Sequence, residues 1–248
     1  MIELHDVTVR YPGAASDALN IPSLAMAQGE FVALMGANGS GKSTLARCLN
    51  GLIRPNSGEV VVDGLRTSHD ESRTEIRRRV GLVFQNPRLQ ITSLTVEREI
   101  AFGLQNLGIE TARLQERVEE SLEASALGAF RRRSPGSLSG GEQQRLAVAA
   151  VLAMRPAYLI LDEATSLLSP ESRKQVLEAV SDDRAMRRTS VVLITQFAVE
   201  ALRARRLIVL REGHVAIDGA PSEVFERCAS SGVPGIQLPP RLRFRASS

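Results

Sequence analysis

Gly36-Ala37-Asn38-Gly39-Ser40-Gly41-Lys42-Ser43 is the stretch whose reading decides the fold. It satisfies the phosphate-loop pattern, a glycine and four residues before Gly-Lys-Ser, at every required position. Gly36, Gly39 and Gly41 permit a tight turn that aims several N–H groups at a chain of phosphates. A helix starting near Gly41 adds the positive end of its dipole. Lys42 then reaches the β- and γ-phosphates, the Ser43 hydroxyl faces Mg²⁺, and Thr44 follows in the same first turn. Composition points the same way. Of 31 lysines and arginines, only Lys42 and Lys174 are lysine. A chain that uses arginine almost everywhere keeps lysine at the one place this loop needs it.

The 248 residues suit one large domain or a core with inserted subdomains, and 43% hydrophobic content is enough for a proper core. The formal charge of +3 is too small to argue for a nucleic-acid partner. Cys48 and Cys228 make no metal-binding spacing, and a reducing compartment is the default reading. No apolar run approaches the ~20 residues needed to cross a bilayer. The opening residues lack a signal-peptide pattern, so a membrane role is expected to be peripheral.

Strands and helices alternate around the loop. Ile2, Leu4, Val7 and Val9 mark a first strand, and residues 29–34 lead a second into the loop. Residues 58–63 and 80–84 read as further strands. Leu114, Val118 and Leu122, spaced by four, mark an amphipathic helix over residues 110–124. A more apolar helix covers residues 141–155. Residues 158–161 and 191–195 are apolar strands, and residues 207–210 and 214–217 form a hairpin around Arg211-Glu212-Gly213. This order predicts an α/β protein with a mainly parallel sheet, interrupted by a helical lobe at residues 86–155. Residues 230–248 hold three prolines and no acidic residue, and read as a loosely docked extension. Arg77-Arg78-Arg79 and Arg131-Arg132-Arg133 read as solvated faces.

Two more motifs carry chemistry. Tyr158-Leu-Ile-Leu-Asp162-Glu163 is an apolar strand ending in two carboxylates. Asp162 would hold Mg²⁺ and Glu163 would orient and deprotonate a water; an ordinary acid-capped strand end is the alternative. In Leu138-Ser139-Gly140-Gly141-Glu142-Gln-Gln144, Ser139 and Glu142 have capping-box spacing. The two glycines weaken a helix start, which suits a backbone that must approach an anion closely.

With these motifs in this order, the chain resembles the nucleotide-binding domain of ATP-binding-cassette (ABC) proteins. The resemblance covers about residues 1–227. It implies an ABC ATPase fold over residues 1–229: a P-loop NTPase core, an N-terminal antiparallel β subdomain and the inserted helical subdomain, followed by the extension at 230–248. It implies ATP and Mg²⁺ as cofactors and a dimer in which ATP lies between one Lys42-type loop and the partner's Ser139-type loop. Tyr11 falls where an aromatic stacks on adenine, with simple packing as the alternative. Gln85 falls where a glutamine senses Mg²⁺ and the attacking water. Local wording narrows the likeness. Val83-Phe-Gln-Asn-Pro87, Thr95-Val-Glu-Arg-Glu-Ile-Ala-Phe-Gly103 and Leu161-Asp-Glu-Ala-Thr-Ser166 look like ATPase subunits of energy-coupling-factor importers, which take up vitamins or transition-metal ions. That implies a second ABC ATPase subunit, self or paralogue, a transmembrane coupling subunit docking near residues 86–103, a substrate-binding membrane subunit, and a place at the cytoplasmic face of the membrane.

Two positions depart from the family pattern. Gln196 stands where a histidine usually contacts the γ-phosphate. It can hydrogen-bond a phosphate oxygen but cannot carry positive charge. Either turnover is slower than in a histidine-bearing relative, or Gln196 substitutes well. Ser169 stands where an aspartate usually touches the partner, although Ser169-Pro170-Glu171 also reads as a helix start. Together they leave open a low-turnover regulatory subunit of an asymmetric dimer. A DNA- or ribosome-acting ABC protein is disfavoured by the single cassette, the lack of a long heptad stretch and the small net charge.

Overall fold

Ile2 and Leu4, then Val7 and Val9, are buried while their neighbours are not, and this alternation, shifted by one residue where the register slips between His5 and Thr8, makes strand β1 (Ile2–Val9). The structure is a computed structural model and describes residues 1–187 and 189–243. The further strands are β2 (Leu19–Met26), β3 (Phe31–Met35), β4 (Ser57–Val62), β5 (Leu65–Arg66), β6 (Val80–Val83), β7 (Tyr158–Asp162), β8 (Ser190–Ile194), β9 (Arg206–Arg211) and β10 (His214–Gly219). The helices are α1 (Lys42–Leu49), α2 (Asp70–Arg79), α3 (Val96–Asn106), α4 (Thr111–Ala124), α5 (Gly140–Ala153), α6 (Pro170–Arg187), α7 (Ala198–Ala201), α8 (Pro221–Ser231) and α9 (Pro240–Arg243). The chain divides into two units, Met1–Arg77 with Ser190–Ser248, and Arg78–Thr189.

In the first unit, β2, β1, β4 and β5 form an antiparallel sheet in that order. A second set of strands centres on β3, which runs parallel to β8 on one side and β9 on the other. β10 closes a hairpin on β9. Every residue of β3 is apolar and buried, as a strand flanked by parallel partners requires. Its C-terminal end delivers Gly36, so the phosphate loop emerges where ligands bind in parallel α/β sheets.

In the second unit, β6 and β7 pair in parallel. Helices α3, α4 and α5 enclose a core of Val96, Ile100, Leu104, Val118, Leu122 and Leu146. The helices expected over 110–124 and 141–155 are α4 and α5. Arg131 is not a plain solvated charge: it pairs with both Glu97 and Glu119, joining the start of α3 to α4.

The C-terminal extension differs from its expected loose docking. α8 carries the chain to Ser231 and ends on Gly232 in the left-handed conformation. Gly235 then rests on the phosphate loop so closely that a Cβ there would stand 2.6 Å from Ala37 Cβ. Composition gave no sign of this because the contact is made by main chain at a glycine, with no apolar stripe to announce it. Residues 244–248 of that extension lie outside the described residues.

Candidate active site

The loop after β3 has the shape its glycines foretell. A Cβ at Gly36 would stand 2.4 Å from the Leu210 carbonyl oxygen, so the backbone passes too close for any side chain. Gly41 has φ 102°, and a Cβ there would meet the Ala18 carbonyl at 2.5 Å. Lys42 is buried, and its Nζ donates to the carbonyls of Gly36 (2.9 Å) and Ala37 (3.0 Å). The ammonium is thereby held inside the ring of the loop. Asn38 and Gly39 are exposed at its tip.

Two observations test whether this loop suits a phosphate chain. No described side chain caps the N-terminus of α1, and its first turn has no acidic residue. The helix's own first turn therefore brings no negative charge to the positive end of its dipole. Ser40 Oγ, inside the loop, is buried and has no hydrogen-bond partner among the described residues. An orphaned hydroxyl, an uncapped helix and a buried lysine fit a bound polyanion. Tyr11 is partly exposed, and its hydroxyl lies 3.1 Å from Thr44 Oγ1, just beyond Ser43. Its ring is thus tethered beside the first turn of α1. Gln196, two residues beyond β8, is exposed.

The second unit holds the carboxylates. β7 ends in Asp162 and Glu163, both buried. Glu163 has φ 50°, a left-handed conformation uncommon for a side chain with a Cβ. Such backbone strain concentrates where function demands a particular side-chain direction. Gln85 Nε2 donates to Glu163 Oε2 at 3.3 Å and to Ser166 Oγ at 3.4 Å. The amide oxygen of Gln85 is left for other partners, as a residue that reads a metal and a water needs. Within this unit Gln85 and Asp162 offer hard oxygen donors of the kind Mg²⁺ takes. No cluster of three or more His, Cys, Asp or Glu occurs among the described residues. One carboxylate beside an amide oxygen is compatible with Mg²⁺, which keeps waters and takes few protein ligands beside substrate phosphates.

The loop before α5 is a complete capping box. Ser139 Oγ accepts from Glu142 N–H, while Ser139 N–H and Oγ–H both donate to Glu142 Oε2 at 2.7 Å. These bonds hold the Glu142 carboxyl below its ordinary value, Ser139's hydroxyl foremost and then its N–H. Gly141 has a packing reason, since a Cβ there would stand 2.9 Å from Ser172 Oγ on α6. Gly140 faces open space and keeps its backbone approachable.

Sequence reading missed the residues that hold these loops. Gln143 is buried and donates to the carbonyls of Pro135 and Leu138, fixing the chain that enters the Ser139 turn. Gln144 donates to the Phe84 carbonyl, and Gln90 accepts from Phe84 N–H, so the residue before Gln85 is clamped on both sides. Glu99 is buried and accepts from the N–H groups of Thr92 and Ser93. The available signal was a run of polar residues, Gln143-Gln144, on the face of an otherwise apolar helix. Ser169 proves to be a helix cap: its Oγ accepts from Ser172 N–H at the start of α6.

Comparison with known proteins agrees with this geometry. The family described as ABC transporter matches residues 19–166, and the chain belongs to that family. Its relatives include the energy-coupling factor transporter ATP-binding protein EcfA1 of Symbiobacterium thermophilum, 46% identical over 91% of this chain and 79% of that protein. EcfA1 of Clostridium perfringens is 39% identical over 96% of this chain and 86% of that one. Within the ABC family the chain therefore falls among the energy-coupling factor ATP-binding proteins. Two solved structures share the fold. One is cbiO1 from Clostridium perfringens, part of the ABC transporter complex cbiONQ (TM-score 0.80, 27% identity, covering 93% of each chain). The other is the dimeric post-hydrolysis cassette MJ0796 bound to ADP and Pi (TM-score 0.81, 30% identity, covering 89% of this chain and 99% of that one).

Proposed function

We propose that this chain is the ATP-binding and hydrolysing subunit of an energy-coupling-factor importer for a vitamin or transition-metal ion. The observation that carries the reading is Glu163: a buried carboxylate on a left-handed backbone, bonded to Gln85, at the end of β7 in an ABC family chain. The phosphates of ATP would take the N–H groups of residues 36–44 and the Lys42 ammonium. Ser43, Gln85 and Asp162 would hold Mg²⁺, which when bound neutralises charge on the β- and γ-phosphates. Tyr11 would support the adenine. Glu163 would accept a proton from the attacking water while Gln85 and Gln196 hold the water and the γ-phosphate oxygens. Residues 139–142 would complete the site of a second ABC ATPase subunit, self or paralogue. Catalysis of this kind is positioning and charge stabilisation.

The exposed apolar side chains of Leu89, Leu94 and Phe102 support a docking surface for a transmembrane coupling subunit, itself joined to a substrate-binding membrane subunit. No described helix is long and apolar enough to cross a membrane. Docked on that transmembrane subunit, the chain would sit peripherally on the cytoplasmic face. The regulatory alternative loses support, since Ser169 has an independent duty as the cap of α6. The test is equilibrium MgATP binding by the Glu163→Gln variant, with its oligomeric state followed by size exclusion. Tight binding and an ATP-dependent dimer are expected, and Lys42→Ala should abolish both. ATP binding equally well to Lys42→Ala would contradict the reading.

A further inference from the structure

Thr195 follows β8 immediately, and its N–H donates to the carbonyl of Leu34 in β3, the strand that enters the phosphate loop (3.2 Å). Its hydroxyl is used twice. It accepts from Phe197 N–H at 3.0 Å, and it donates to the carboxylate of Glu200 in α7. The first of these bonds skips one residue, so it closes a hydroxyl turn whose central residue is Gln196. Thr195 is 2% exposed and Glu200 1% exposed, whereas Gln196 lies open to solvent. Glu200 N–H donates in turn to the Phe197 carbonyl at 3.0 Å, tying the carboxylate's own backbone to the far side of the turn.

Burying a carboxylate is costly unless it is hydrogen-bonded, and an apolar pair of similar volume would fill the same space more cheaply. What the polar pair adds is direction. A hydroxyl that both donates and accepts fixes its own rotamer and the amide it receives, and so fixes the backbone on both sides of Gln196. We infer that Thr195 and Glu200 are positioning residues that hold Gln196 in the attitude needed to meet the γ-phosphate. A neutral switch residue has no long-range charge to draw it to its target, so its geometry must be set in advance by the chain around it. The inference rests on the reading of Gln196 given above.

The test uses the full chain and two readouts. Thr195→Val keeps the shape and removes the hydroxyl, whereas Thr195→Ser keeps the hydroxyl. Amide hydrogen exchange, which needs no turnover, should rise about tenfold at Phe197 in Thr195→Val and stay at the wild-type rate in Thr195→Ser. In steady-state hydrolysis, Thr195→Val should lower kcat about tenfold with KM for MgATP unchanged, and Thr195→Ser should restore it. Added to Gln196→Ala, Thr195→Val should cause no further loss, because both act through one contact. Unchanged exchange at Phe197, or additive losses with Gln196→Ala, would overturn the inference. A wild-type protein that does not hydrolyse ATP even with its partner subunits would count against the proposed function, while the exchange experiment still decides whether the turn is held by Thr195. Glu200→Gln, which keeps an oxygen to accept from Thr195, guards against misreading a variant that fails to fold.

Discussion

Lys42 shows how much one side chain can be asked to do. Its Nζ rests on the Gly36 and Ala37 carbonyls, which hold the cation at the loop. Lys42→Ala should lower hydrolysis on the order of 10²-fold or more, with nucleotide affinity lost alongside. Gln196 is the more discriminating position. Gln196→His should raise turnover and leave ATP affinity unchanged, as measured by steady-state kinetics beside equilibrium binding; equal turnover would mean that glutamine substitutes fully. The phosphate loop, Asp162 and Glu163 stand out in the chain because each sits in a short motif whose spacing is set by chemistry, whereas Gln85 stands out only through the family resemblance. The Thr195–Glu200 pair and the buried Gln143 and Gln144 do not stand out. Their duties depend on which backbone groups the fold brings within reach.

Among the elements, legibility followed the burial pattern. β3, β7 and β8 are continuous apolar runs and announce themselves. β2 carries Pro22 and lies at the edge of its sheet, where a missing N–H is tolerated, so it gave no clean strand signal. α2 buries only Ile76, leaving no apolar stripe to find. The start of α5 depends on its capping box, and Ser139→Ala should cost about 1 kcal/mol by thermal or denaturant unfolding. Glu142 adds a pH dependence. Its folded pKa lies below the ordinary value, so its contribution is full above the ordinary glutamate range, near ~4.3, and is lost as pH falls through the lowered pKa. Glu142→Gln should flatten that acid limb, as followed by unfolding midpoints between neutral and acid pH. In the segment before and within α3, Leu94 is 76% and Leu89 75% exposed. Charging Leu94 and Phe102 together should release the chain from membranes holding its transmembrane subunit, without changing ATP binding by the purified protein.

For the molecule as a whole, each unit brings its own part of the chemistry: an uncapped helix and a buried lysine in one, two carboxylates and a capped loop in the other. In the proposed function, energy coupling rests on ATP hydrolysis with Glu163 as the base. The measurement that tests this most directly is steady-state MgATP hydrolysis by the wild-type chain and by Glu163→Gln, alone and with its transmembrane subunit. Turnover by the wild type, reduced by about 10²–10⁴-fold in Glu163→Gln with ATP still bound, is the predicted result. Turnover that survives in Glu163→Gln, or none from the wild type even in the assembled transporter, would contradict the account.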